Sequence, residues 1–380
     1  MHILVTGGAG FIGSHLVPAL VSRGHRVRIL DALTEQIHGP GAEFSAALRE
    51  QAECLRGDVT ESADVARALE GVDVVVHLAA ETGMGQSQYE IVRYTDVNVG
   101  GTARLLQALA DHRGAVRRVV LSSTARVYGD GPYLCEDHGR VFPAQRSVEQ
   151  MSRGDWAMRC PDCGLEVHVA RCLEDDLRQP GSMYAVTKCA QEDMVRLFGA
   201  VYGLDAVVLR YQNVYGAGQA LRNPYTGVLS VFCTRLRNGL VPEVYEDGDE
   251  SRDFVYITDI AEATVAAVER DGLGGETINV GGGGRSSIID VARSIARAFG
   301  ADDSIEPVVT GMFRAGEVRH MEADITTAQR LLDYAPTVPL DEGIRRLVAW
   351  VREQPVEVDR SDVAFRELAE RGLSKGRDRL

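Results

Sequence analysis

The sequence predicts a parallel, doubly wound α/β sheet, on three observations. Short apolar runs alternate with helical segments, a glycine-rich turn joins the first strand to the first helix, and an acidic residue ends the second strand. His2–Thr6 reads as a buried strand, Gly7–Gly13 as the turn, and Phe11–Arg23 as a helix stopped at Gly24. Val27–Leu30 is the second strand, ending at Asp31. Helical spacing at Ser62–Leu69 and Asp96–Ala110 precedes strand runs at Val74–Leu78 and Arg118–Leu121. Residues 130–181 break the rhythm, being rich in Cys, Arg, Asp and Pro, and read as an insertion. Patterning resumes with a helix over Ser182–Tyr202 and a strand over Ala206–Arg210. Helices then follow near Pro224–Asn238, Ile257–Glu269, Ser287–Phe299, Ile325–Leu332 and Leu340–Glu353. The last two dozen residues alternate charge and read as a terminal helix with a frayed end.

Composition narrows the function classes. The chain has 380 residues, 45% hydrophobic and 25% charged, as in ordinary globular proteins. Its net charge of −14 repels phosphate backbones, so no nucleic-acid partner is expected. Apolar runs such as Val72–Ala80 are too short to span a bilayer, so no membrane is expected either. An apolar run begins at His2 with no charged segment before it, which argues against a secretory signal and for a cytoplasmic location. Seven cysteines, an odd number, argue against a disulfide framework.

Gly7, Gly10 and Gly13 stand between a strand and a helix, where such glycines admit a tight turn, a pyrophosphate and close packing. Asp31 lies 18 residues beyond Gly13 and matches a ribose-binding carboxylate. A carboxylate there repels a 2′-phosphate, so the expected cofactor is NAD rather than NADP. Asp58 and Val59 follow a short strand and are candidates for the adenine, although Asp58 also reads as a cap for the next helix. His77 ends a strand and reads as a packed core residue. Tyr184 and Lys188 share a helix face, and an ammonium beside a phenol favours the phenolate, making Tyr184 a candidate general base. Ser122-Ser123-Thr124 ends a strand and brings a hydroxyl to the same sheet edge.

Together these motifs resemble the extended short-chain dehydrogenases/reductases, the NAD-dependent nucleotide-sugar epimerases and dehydratases with a Rossmann domain. Gly7-Gly8-Ala9-Gly10-Phe11-Ile12-Gly13, His77-Leu78-Ala79-Ala80, Val127-Tyr128-Gly129 and Tyr184-Ala185-Val186-Thr187-Lys188 carry the resemblance, with Asn213-Val214-Tyr215-Gly216, Ser251-Arg252-Asp253-Phe254-Val255, Asn279-Val280-Gly281 and Arg314-Ala315-Gly316-Glu317. It implies catalysis by Thr124, Tyr184 and Lys188. It implies NAD held by Gly7, Gly10, Phe11, Ile12, Gly13, Asp31, Asp58, Val59, Leu78, Ala79, Ala80, Tyr184 and Lys188, with Asn98 ordering the nicotinamide-side loop. Asn213, Arg252 and Arg314 are implied for the sugar nucleotide, the arginines by charge and fork geometry. The implied domains are 1–210 for NAD and 211–352 mainly for substrate, with part of 250–280 returning to the first, and a tail over 353–380.

Family dehydratases carry Asp-Glu after the catalytic threonine, whereas this chain has Ala125 and Arg126. The expected reaction is therefore 4-epimerisation through a transient 4-keto sugar. Thr82–Glu90, the cysteine-bearing insertion, Gly218-Gln219-Ala220-Leu221 and Asn223–Gly227 are most similar to dTDP-L-rhamnose 4-epimerases, implying a dTDP-6-deoxyhexose. Two departures stand at positions expected to face the sugar: Gln212 where Phe is usual, and Arg126 where a small residue is usual. Arg126 keeps a UDP-hexuronate 4-epimerase as the rival reading. A decarboxylase or other oxidoreductase of the same fold also remains, as does a non-catalytic nucleotide sensor. The family resemblance further implies a homodimer through Asp96–Ala110 and Ser182–Tyr202, with Leu105, Leu106, Leu109, Met194, Leu197 and Phe198 as candidate contacts.

The insertion carries Cys135-Glu136-Asp137-His138-Gly139 and Cys160-Pro161-Asp162-Cys163-Gly164. Each is a pair of possible ligands with two residues between them, followed by glycine, which suits a zinc knuckle. Cys135, His138, Cys160 and Cys163 are thus the candidate ligands of a structural zinc, in an insertion too poor in apolar residues to bury a core alone. Cys172 is a substitute ligand, Cys160 with Cys163 a redox pair in the competing reading, and Cys54, Cys189 and Cys233 read as buried thiols.

Overall fold

The structure, a computed structural model, describes all residues except 112–115, 224, 226, 301–304 and 376–380. Pro224 and Thr226, part of a motif and of an expected helix start, therefore lie outside the described residues. A seven-stranded sheet runs in the order Thr277–Val280, Asp205–Tyr211, Arg118–Thr124, Val74–His77, His2–Thr6, Arg26–Asp31, Glu53–Arg56. Every neighbouring pair is parallel. Arg26–Asp31 and Glu53–Arg56 lie on one side of His2–Thr6 and the next strand, Val74–His77, lies on the other, and the crevice at such a switch point is where doubly wound sheets bind ligands. Central strands such as Val74–His77 are buried along their whole length, because helices cover both faces.

A second core lies over the carboxyl edge of the sheet. It joins the short strands Asn213–Tyr215 and Ser251–Tyr256 to the helices Val228–Arg237, Ile288–Ala298 and Leu340–Glu353. Ser287 caps the Ile288–Ala298 helix by accepting from the Asp290 N–H. Among the described residues, no helix is long and apolar enough to cross a membrane.

Several expectations change. The helix expected from Asp96 begins earlier, at Ile91, and passes through a π-helical turn at Thr95–Gly100 before Gly101–Asp111. Leu105, Leu106 and Leu109 are buried against the sheet and do not form an outer face. Leu197 is 66% exposed, with Val201 one turn on at 68%. The insertion buries a small core of its own, with Tyr133, Val141, Met158 and Val167 packed around Cys135 and Cys160. Cys54 and Cys189 are only half-buried. The tail does not end at its helix: after Ser361–Glu370, the strand Ser374–Lys375 pairs antiparallel with Phe313–Arg314.

Candidate active site

One cavity of about 1010 Å³ runs from the glycine turn to the second core. That volume sits at the top of the range for a single small-molecule site, about 300–1,000 Å³. Gly7 has φ of +71°, and a Cβ there would lie 2.8 Å from the Ala79 nitrogen, so the turn and the Leu78-Ala79-Ala80 strand end approach as only glycine allows. A Cβ on Gly10 would meet only the Gly7 carbonyl and would otherwise project into free space. Phe11, Ile12 and Gly13 line the same wall. Asp31 accepts from Ala9 N–H and Leu33 N–H at 3.0 and 2.9 Å, one through each oxygen, which aims the carboxylate across the turn. Asp58 and Val59 line the cavity, but Asp58 is not a helix cap. Its carboxylate accepts from Thr60 N–H and Oγ1, both at 2.8 Å, and the helix starts later, at Ser62. His77 is fully buried between Thr6 and Thr102, and burial first, then Lys188, push its pKa down to about 3. It is a neutral core residue.

The Tyr184 helix, Met183–Tyr202, is capped by Ser182 accepting from Ala185 N–H and is stopped by left-handed Gly203. Its first turn meets the end of the Arg118–Thr124 strand. Thr124 hydrogen-bonds Tyr184, whose pKa burial pushes up to about 12 while Thr124 and the Arg126 charge oppose the rise. Lys188 stands one turn further along the same helix. Its Nζ donates to the Ser122 carbonyl at 2.9 Å, and burial takes its own pKa down to about 8. Arg126 is carried into the cavity by the 3-10 turn Ala125–Tyr128 that follows Thr124. Asn98, fully buried in the π-helical turn, accepts from Glu81 N–H at 2.8 Å and donates to the Glu81 carbonyl and Thr187 Oγ1. It orders the loop after Leu78-Ala79-Ala80 from behind rather than lining the cavity.

The substrate candidates Arg126, Gln212, Asn213, Arg252 and Arg314 all line the same cavity. Two of the arginines stand on strands, Arg252 in Ser251–Tyr256 and Arg314 in Phe313–Arg314. Glu317, which motif reading did not single out, ties them together. It accepts from Arg252 at 3.0 Å and lies 3.8 Å from Arg126. Burial works against its ionisation, but Arg252, Arg126 and Arg314 outweigh it and bring its pKa down to about 2. Arg126 Nη1, Arg314 Nε and both amide atoms of Gln212 are buried without a hydrogen-bond partner among the described residues, and such atoms need one. Glu250 was also missed. Burial first, then Glu246, push its pKa up to about 8.

In the insertion, the ligand atoms of Cys135, His138, Cys160 and Cys163 all lie within 4.8 Å of one another. Gly139 and Gly164 have φ of 67° and 74°, as the two turns require. Cys172 is not part of this group. It is buried elsewhere, its thiol against the Met321 sulfur at 3.5 Å.

Comparison with known proteins agrees with this geometry. The sequence model of the NAD dependent epimerase/dehydratase family matches residues 3–146 and 166–281, leaving out the middle of the insertion. A dTDP-L-rhamnose 4-epimerase of Burkholderia thailandensis is 39% identical over 95% of this chain and 96% of its own. The UDP-glucose 4-epimerase of Thermus thermophilus, solved with NAD, superposes with a TM-score of 0.72 at 29% identity, over 93% of this chain and all (100%) of that one. The UDP-glucuronic acid 4-epimerase of Bacillus cereus, solved with UDP-glucuronic acid and NAD, gives 0.74 at 27%, over 93% and 99%. A family match across more than half the chain, together with a relative alike over nearly its whole length, makes this chain a member of the NAD dependent epimerase/dehydratase family.

Proposed function

We propose that the chain is an NAD-dependent nucleotide-sugar 4-epimerase acting on a dTDP-6-deoxyhexose. The observation that carries the reading is the meeting of Thr124 and Tyr184 between the glycine turn and the Arg252–Glu317–Arg314 cluster in one cavity. Gly7, Gly10, Phe11, Ile12, Gly13, Asp31, Asp58, Val59, Leu78, Ala79 and Ala80 would hold NAD, and the space that a side chain at Gly10 would enter fits it. NAD, when bound, supplies the acceptor and donor of hydride at C4. Tyr184 takes the C4 hydroxyl proton and later returns it, and Thr124 hydrogen-bonds the same oxygen. Lys188 holds the helix face to the strand end through Ser122. Arg252 and Arg314 hold the diphosphate about which the keto sugar turns.

Charge favours a neutral hexose over a hexuronate. Three arginines (126, 252 and 314) less one carboxylate, Glu317, leave two positive charges, which match a diphosphate and leave none for a sugar carboxylate. Arg126, whose Nη1 makes no hydrogen bond among the described residues, is the observation that favours the UDP-hexuronate reading instead. Retention of Tyr184 and Lys188 speaks against a non-catalytic sensor. Residues 1–210 would serve mainly the dinucleotide and 211–352 mainly the sugar nucleotide. Two copies would associate through the exposed Leu197–Val201 face of the Tyr184 helix, in place of the leucines that proved buried. The insertion cluster would hold one structural zinc on three thiolates and an imidazole. The test of the enzymatic reading is a panel of dTDP-, UDP- and GDP-sugars with products read by NMR. Tyr184→Phe should keep its NAD and lose turnover by roughly 10²–10⁴-fold. Wild-type-like turnover in that variant would refute the assignment.

A further inference from the structure

We propose that the C-terminal helix Ser361–Glu370 and the strand after it form a wall of the sugar-nucleotide site, enclosing the nucleobase end and fixing Arg314. This inference rests on the nucleotide-sugar reading. A ladder of contacts leads from the catalytic pair to this helix. Arg126 lies 3.8 Å from Glu317, and Glu317 accepts from Arg252 at 3.0 Å. The Arg314 guanidinium stacks over the Tyr245 ring at 4.9 Å, and the Phe365 ring meets Tyr245 edge to face at 5.8 Å. A sugar nucleotide with its hexose at Tyr184 and its diphosphate on Arg252 and Arg314 extends its ribose and base toward Tyr245 and Phe365. Aromatic rings are what a base packs on. Phe365 lines the cavity, as do Ser361, Asp362 and Arg366 from the same helix.

The helix is fastened on three sides. Ser374 pairs with Arg314 across the two-stranded ladder, and Ala315 N–H donates to the Leu373 carbonyl at 3.0 Å, so the strand that carries Arg314 is held by the tail. Glu367 accepts from Tyr225 and Tyr89 hydroxyls at 2.6 and 3.0 Å, and Tyr225 lines the cavity. Leu368 is buried, and a Cβ on cavity-lining Gly85 would lie 3.0 Å from its side chain. An appendage that merely covered surface would touch neither Arg314's strand nor the cavity.

The experiment uses the full-length, NAD-loaded protein, titrated calorimetrically with TDP and UDP alongside steady-state kinetics. Phe365→Ala should weaken nucleoside diphosphate binding, and raise KM, about tenfold, as a lost base–aromatic contact does. kcat should stay within about twofold, which separates binding from chemistry. Phe365→Tyr should restore binding, and Val363→Ala, on the exposed side of the same helix, should change nothing. If Phe365→Ala fails to retain NAD, Glu367→Gln decides, since it keeps the helix but loses the carboxylate that both tyrosines share. There a raised KM supports the wall and an unchanged one overturns it. Wild-type protein that binds neither diphosphate would bring down the nucleotide-sugar reading itself. Wild-type binding that Phe365→Ala leaves untouched would overturn only the wall.

Discussion

Replacing Cys163 by serine, or stripping metal with a strong chelator, should release about one zinc per chain and lower the melting temperature. The argument starts from distances. Zn–S bonds of about 2.3 Å and Zn–N bonds of about 2.0 Å in a tetrahedron put neighbouring sulfurs about 3.8 Å apart, and sulfur from nitrogen about 3.5 Å. In this chain Cys135 Sγ lies 3.6 Å from Cys163 Sγ and 3.6 Å from His138 Nδ1, and Cys160 Sγ lies 3.6 Å from His138 Nδ1. These three distances match the edges expected of such a tetrahedron. The core behind them is small, so the ion is expected to supply much of the insertion's folding energy. A ligand at about a thousand times its dissociation constant stabilises by about 4 kcal/mol. Spread over 380 residues at about 2.1 cal/mol/K each, that stabilisation corresponds to about 5 °C. The effect should reach the substrate side, because Arg146 of the insertion pairs with buried Glu246 at 2.6 Å. Metal analysis and scanning calorimetry, with and without chelator, read both quantities. Metal-free protein whose melting is unmoved by chelator or by Cys163→Ser would refute the reasoning.

Two further outcomes concern the catalytic helix. Arg126 opposes the burial-driven rise of the Tyr184 pKa, so Arg126→Gln should raise that pKa further. The alkaline rise of kcat/KM should then move to higher pH, and a pH–rate profile identical to wild type would remove Arg126 from the tuning of the base. Glu192 is fully buried one turn beyond Lys188, accepting from Arg210 at 2.7 and 2.9 Å and from Ser123 at 2.5 Å. Glu192→Gln leaves the Arg210 charge unpaired in the core and should cost about 3–5 kcal/mol in denaturant unfolding. A loss below about 1 kcal/mol would mean that the arginine finds water or another acceptor.

What the chain alone determined was local. The glycine turn, Asp31, Thr124 and the Tyr184–Lys188 spacing were legible because each depends on neighbours within one strand–turn–helix unit or on one helix face. The two pairs that cluster in the insertion, Cys135 with His138 and Cys160 with Cys163, were legible for the same reason, since each pair and its glycine occupy five consecutive residues. Tertiary structure decided what depends on distant partners. Leu105, Leu106 and Leu109 have the same apolar character whether they face a sheet or another subunit, and only packing puts them on the sheet. Lys188 turns its Nζ to a carbonyl 66 residues away in sequence, and Arg126 brings a charge to Tyr184 that opposes the burial-driven rise of its pKa. Glu317 and Glu250 are the same residue type in sequence, but the arginines around one lower its pKa while burial beside Glu246 raises that of the other. The tail, polar and unpatterned as a sequence, becomes part of the cavity through contacts such as Glu367 with Tyr89, 278 residues apart. Periodicity cannot report such pairs, because it records which face of an element is apolar and not which element will lie against it.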